Sequence, residues 1–149
     1  MRILFALCSL MMIASCASNG LYQSPDAESA AVIKIENLID KDGVDAAAPT
    51  GWVAPGASMK TKVGLFAVDG DRLDEMGGDQ KVSVEPGKRN IQIFADGGGA
   101  LRFKKIKMKF SAGSEYIIRV KKNAEEESKF IAEVIEASAP NAIIKEVTF

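Results

Sequence analysis

The sequence predicts an all-β protein, a single antiparallel β-sandwich of about eight strands. Three observations carry this. Short runs from Ala31 to the C-terminus alternate apolar and polar residues, the period of a half-buried strand. Turn-forming residues separate those runs at Asp69-Gly70, Pro86-Gly87, Asp96 to Gly99 and Ala112-Gly113, where a chain reversal needs positive or fixed φ. Sustained helical periodicity and fixed-period repeats are both missing from the sequence.

The elements follow in order. Ala31 to Leu38 is a β-branched first strand. A long connection, Asp40 to Lys60, holds Gly43, Pro49, Gly51, Pro55 and Gly56. Lys62 to Val68 forms the second strand and ends at Asp69-Gly70, a sufficient hairpin turn. Asp71 to Met76 could form one helical turn. Lys81 to Glu85 alternates cleanly, and Arg89 to Phe94 follows Pro86-Gly87. The glycines after Asp96 then suit a tight hairpin.

Leu101 to Phe110 is a long strand whose phase slips. Leu101 and Phe103 share one parity, whereas Ile106, Met108 and Phe110 occupy the other. A bulge at Lys104-Lys105 is expected to bring all five to the core face. Lysines 104, 105, 107 and 109 would then face water and guard a sheet edge. Tyr116 to Val120, Lys129 to Ala137 and Ala142 to Phe149 complete the series. Ala124 to Ile135 has the alanines and glutamates of a helix, but Phe130, Ile131, Val134 and Ile135 fit a two-sided strand in a β context.

Ahead of the domain, Arg2 is followed by an apolar run from Ile3 to Ile13. About eleven residues suit a signal-peptide h-region and are too few for a membrane-spanning helix, which needs about 20. Unbroken apolarity after Arg2 offers no amphipathic face for a buried helix. The run ends in Ile13-Ala14-Ser15-Cys16, which resembles the bacterial lipobox. That resemblance implies cleavage between Ser15 and Cys16, a diacylglycerol on the Cys16 thiol, and acylation of the new amino terminus. Ala17 follows, not Asp, and by resemblance to enteric lipoproteins this implies outer-membrane sorting. Two or more acyl chains give stable anchoring. Residues 1–15 therefore read as a signal peptide and 16–29 as lipidated cysteine and tether, leaving 30–149 as the domain. Thirteen flexible residues after Cys16 have a mean reach of roughly 20 Å.

Two stretches add a partial family likeness. Phe66-Ala-Val-Asp-Gly70, followed by Val82-Ser-Val-Glu-Pro-Gly-Lys-Arg-Asn-Ile-Gln-Ile93, resembles the PEGA-type pattern of a turn, an alternating strand, Pro-Gly and another strand. Phe110-Ser-Ala-Gly-Ser-Glu-Tyr-Ile-Ile118 resembles a strand pair common in periplasmic lipoproteins. The chain lacks the Gly-x-Thr-Pro stretch and the closing Gly-Tyr of PEGA domains. The likeness implies an immunoglobulin-like or PEGA-like sandwich with a binding or structural role, and carries over no functional residue.

Composition narrows the chemistry. The chain of 149 residues has 19 basic and 20 acidic side chains and no histidine. A balance this close to neutral argues against nucleic acid, whose phosphates call for a positive excess. Without histidine the commonest general base and metal ligand are gone. Its cysteines are Cys8, inside the signal, and Cys16, so a lipidated mature chain has no thiol for catalysis, disulfides or zinc.

The remaining candidates are each weighed against a plainer role. Asp40-Lys-Asp-Gly-Val-Asp45 is a poor calcium loop, because Gly43 comes too early and Trp52 falls near the place of the closing glutamate. Asp69, Asp71, Asp74 and Glu75 read as a turn with exposed acids. Paired carboxylates could hydrolyse glycosides, but a cleft with aromatic platforms is not apparent in the sequence. Lys104 to Lys109 could touch anionic lipid, or simply form a solvent face. Trp52 in the long connection is the best candidate partner contact, since aromatics anchor interfaces, or it caps the sandwich. Tyr116 is expected to anchor a corner through its hydroxyl. Phenylalanine at the C-terminus is a feature of outer-membrane barrels, yet the strands carry charges on the face that would meet lipid.

The sequence therefore predicts a lipid-anchored, non-catalytic envelope protein, without cofactor or metal, at the periplasmic face of the outer membrane. Its expected partners are the membrane, through Cys16, and another envelope protein. The alternative is a periplasmic lipoprotein that binds or senses a small ligand or lipid between its sheets. An enzyme resting on Asp69 or Asp71 comes third.

Overall fold

The computed structural model describes residues 20–26, 28–39, 61–73, 80–97, 100–126 and 128–149. Among these, nine strands form: β1 (Ala31–Asn37), β2 (Lys62–Val68), β3 (Asp71–Arg72), β4 (Lys81–Val84), β5 (Gly87–Gly97), β6 (Ala100–Phe110), β7 (Glu115–Lys122), β8 (Phe130–Glu136) and β9 (Ala139–Thr148). They make a five-stranded sheet in the order β4-β1-β7-β8-β9 and a four-stranded sheet in the order β3-β2-β5-β6. The protein is all-β, as the alternation predicts. The segment from Phe130 is a strand and not a helix, with Val134 and Ile135 both buried at a register shift against β9.

One pairing departs from the antiparallel expectation. β1 runs parallel to β7, from Val32 opposite Glu115 to Asn37 opposite Val120, while β4 pairs antiparallel on its other side. Alternation in a single strand carries no direction, so the sequence is silent on this. Asp71-Arg72, where a helical turn is possible on sequence, instead extends β2 as a two-residue strand. The reversal is made by Asp69 (φ 51°) and Gly70 (φ 100°), both in the positive-φ region that a two-residue hairpin requires.

The core lies between the sheets and is apolar. Ile33, Leu65, Ile91, Ile106, Phe110 and Ile118 are each no more than 1% exposed, and no polar or charged residue is buried among those described. Each such side chain contributes about 1.5–3 kcal/mol through burial. The alternation that predicts the strands does the sorting: Ala31, Ile33 and Ile35 point inward, while Val32, Lys34 and Glu36 are half-buried on the outside. Phe110 stacks edge-on against Tyr116 at 5.0 Å. The Tyr116 hydroxyl accepts the Ser111 N–H at 3.0 Å, so it closes the turn around Gly113 (φ 70°) as the corner reading requires.

The expected bulge in β6 does not form. β5 and β6 pair without interruption from Gly87 opposite Phe110 to Gly97 opposite Ala100. The register shift in this sheet lies instead in β2, between Leu65 and Ala67, with Phe66 unpaired in the ladder. Leu101 and Phe103 therefore stay on the outer face, 51% and 41% exposed. The inward positions at that end of β6 belong to Arg102 and Lys104, opposite Ala95 and Ile93. Lys104 does not guard the edge from the water side: its ammonium donates to the Thr148 carbonyl at 2.7 Å. β6 is nevertheless an edge strand. Phe103 finds its company outside the sandwich, 4.9 Å from the Phe66 ring and 6.4 Å from Phe94.

Candidate functional site

The acids considered for catalysis lie at a groove of about 410 Å³ beside the β2–β3 turn. Asp69 is committed to that turn. Its Oδ1 accepts the Asn90 N–H at 2.8 Å and its Oδ2 pairs with Arg89 Nη1 at 3.1 Å. Arg89 also holds Glu85 through Nη2 at 2.6 Å, so one guanidinium serves two of the three carboxylates. Asp71 lies nearby and is half-buried, contrary to the exposed position expected for it, with Oδ1 enclosed and unpaired among the described residues. Tyr22 closes the groove by donating its hydroxyl to the Ser83 carbonyl at 2.9 Å. Burial pushes the Tyr22 phenol above its ordinary pKa of 10.0, against the pull of Arg89 and with the help of Glu85, Asp69 and Asp71. The groove is a cross-braced corner, with its arginine bonded to Asp69 and Glu85 and Asp69 bonded in turn to the Asn90 N–H. Asp74 and Glu75 lie outside the described residues. Among the described residues no three metal-ligating side chains converge.

The outer face of the four-stranded sheet is a different surface. Register places Gly64, Phe94 and Phe103 in one row across β2, β5 and β6. Phe66 lies beside them under the Arg72 guanidinium, which stands 5.3 Å from its ring centroid, a cation–π distance. Leu101 extends this apolar cluster toward the end of β6. Along the same face run Lys105, Lys107 and Lys109 on β6, with Lys88 on β5 and Lys62 on β2, all exposed. These five lysines make no ion pair among the described residues. Asp96, also exposed, is the acid on that face.

The outer face of the five-stranded sheet is organised in the opposite way. Lys34 pairs with Glu115 at 2.5 Å, Arg119 with Glu36 at 3.4 Å, and Lys121 with Glu133. Lys81 and Glu146 are exposed on the same face beside these three pairs, so its acids and bases balance in number. Solvent-exposed pairs of this kind contribute little to stability.

Neither Leu101, Phe103 nor Phe66 stands among the residues that sequence reasoning selects as a site. The signal was present: Leu101 and Phe103 share parity with Lys105, Lys107 and Lys109. Accepting the phase slip, without a bulge to repair it, would have put them on one face. Cys16, Ser15, Trp52 and the Asp40 to Asp45 cluster lie outside the described residues. Part of the expected tether does fall within them. Tyr22 N–H donates to the Arg72 carbonyl at 2.8 Å and Arg72 N–H to the Gly20 carbonyl at 3.2 Å, and Leu21 bridges to Arg72 in parallel. Gly20 to Tyr22 thus lie along β3, at the edge of the four-stranded sheet. Together the fold and these surfaces define an all-β module with one face of mixed, largely paired charge and one cationic, aromatic face. Comparison of the chain with protein-family models, curated proteins and solved structures finds no match.

Proposed function

We propose that this chain is a non-catalytic, lipid-anchored module of a bacterial cell envelope. It is held through Cys16 at the periplasmic face of the outer membrane and works by surface contact, as a structural or interaction protein. The observation that carries this reading is the contrast between the two outer faces. One carries three ion pairs of its own, and the other sets five lysines, without an ion pair among the described residues, beside exposed Leu101 and Phe103. An apolar patch rimmed by polar residues is the usual mark of an interaction surface. The space between the sheets, where a carried ligand would sit, is filled by side chains such as Ile33, Leu65 and Ile91. Trp52 and its connection are the proposed contact with another envelope protein.

The test is photo-crosslinking in living cells. A Lys107→benzoylphenylalanine chain is expected to give adducts with neighbouring molecules. An Ile117→benzoylphenylalanine chain, labelled on the charge-matched face, is expected to give few. Equal adduct yields from both positions contradict the assignment of the working face.

A further inference from the structure

We infer that the outer face of the four-stranded sheet lies on an anionic lipid surface. On this reading Leu101 and Phe103 sit at the boundary between headgroups and acyl chains, and the lysine rows lie over the phosphates. The inference rests on the proposed anchor at Cys16 and names what the working face touches.

Three observations support it. The first is charge. Among the described residues, five exposed lysines without an ion pair face outward against one carboxylate, Asp96, on a chain whose net charge is only −1. Such segregation makes a local positive field, and clustered lysines are drawn to anionic headgroups. The second is the neighbouring apolar cluster. Leu101 is 51% and Phe103 41% exposed, and Phe66 braces Phe103 from behind at 4.9 Å. Apolar side chains flanked by long cationic ones match an interface that is oily below and charged above, since lysine stems lie along apolar surface while their heads stay in water.

The third observation concerns reach. A tether that is free from Cys16 to Ser29 would let the domain ride well clear of the membrane. Gly20 and Tyr22, however, are hydrogen-bonded to Arg72 of β3. Only four residue steps separate Cys16 from Gly20, at most about 14 Å of extended chain. An anchor at Cys16 therefore holds the β3 edge at the headgroups, and β3 borders the sheet that carries the cationic face. Arg72 lies over Phe66, so the chain reaches the domain next to the aromatic cluster itself. An acidic protein would have to fit between this face and the bilayer. Lipid is already there.

The experiment uses the full chain as extracted from its membrane and reconstituted in two vesicle types. One is phosphatidylcholine alone, and the other equal parts phosphatidylcholine and phosphatidylglycerol. Flotation reports the anchor, and lysine acetylation read by mass spectrometry reports the docked face. The chain is expected to float with both. Acetylation of Lys88, Lys105, Lys107 and Lys109 should fall severalfold on the anionic vesicles only, with Lys81 and Lys122 unchanged as internal references. In a Lys105→Glu/Lys107→Glu/Lys109→Glu chain the protection of Lys88 should disappear while flotation persists. Flotation with both vesicles but identical acetylation overturns the inference and leaves the anchor standing. Failure to float with neutral vesicles overturns both. Protection that follows protein concentration without lipid would make a second copy the occupant, and that too overturns it.

Discussion

Tyr22 sits where the chain leading from the N-terminal segment meets the domain, and its hydroxyl donates to the Ser83 carbonyl of β4. That bond joins the lead-in to an edge of the five-stranded sheet, while the Tyr22 backbone is bonded to the four-stranded one. Tyr22→Phe should therefore cost about 1 kcal/mol at neutral pH, the usual net worth of one hydrogen bond. The pH dependence has a definite sign. Burial raises the folded phenol above 10.0, so the unfolded chain loses this proton first as pH rises. The stabilisation is complete below that value and drains away as pH climbs through and beyond it. Urea unfolding of both proteins from pH 7 upward checks this: the gap between them should narrow above about pH 10. A constant gap would contradict it. At this scale much was legible in the sequence. Tyr116 acts through a bond to Ser111, five residues away, and Asp69-Gly70 turns the chain through its own positive φ angles, so both roles follow from residue type. Asp71 was not legible, because its partial burial depends on Gly20 to Tyr22 returning to β3.

β6 and β9 are the two edge strands on one side of the sandwich. Each sends a lysine across to the other's backbone: Lys104 donates to the Thr148 carbonyl and Lys145 to the Lys107 carbonyl, both at 2.7 Å. These bonds occupy carbonyls that an incoming strand would otherwise use, a known device against edge-to-edge association. Ile143 and Ile144 of β9 remain about half exposed, so the device matters here. A Lys104→Ser/Lys145→Ser chain should self-associate at concentrations where the parent is monodisperse, as read by sedimentation velocity. An unchanged distribution would show that the crossing lysines do not protect these edges. The strands themselves were readable from alternation, and β6 was readable as an edge from its lysines. Its facing was not. The expectation of a bulge assumed that every large apolar side chain seeks the core, whereas Leu101 and Phe103 gather with Phe66 on the outside. In the four-stranded sheet the shift falls at Phe66, and nothing in the local sequence marks it, because register is set by pairing with β5.

Seen whole, the molecule divides its labour between an apolar interior and two unlike exteriors. Among the described residues, the outer face of the five-stranded sheet carries three ion pairs, and that of the four-stranded sheet sets five lysines without an ion pair beside an aromatic cluster. Alternation predicts the two-layer architecture because any sheet with one apolar face must cover it. The parallel β1–β7 pairing and the cationic face arise from strand order, which no single strand encodes. The lead-in at Gly20 ties the β3 edge of the sandwich to the proposed anchor, and the proposal of lipid contact then turns the cationic face toward the membrane. Everything about the placement of this protein thus depends on Cys16 being lipidated. The most direct measurement is the mass of the N-terminal peptide from the chain purified out of its membrane. The account predicts a peptide that begins at Cys16 and carries the mass of acyl chains and glycerol. A peptide that retains residues 1–15, or an unmodified Cys16, would contradict it.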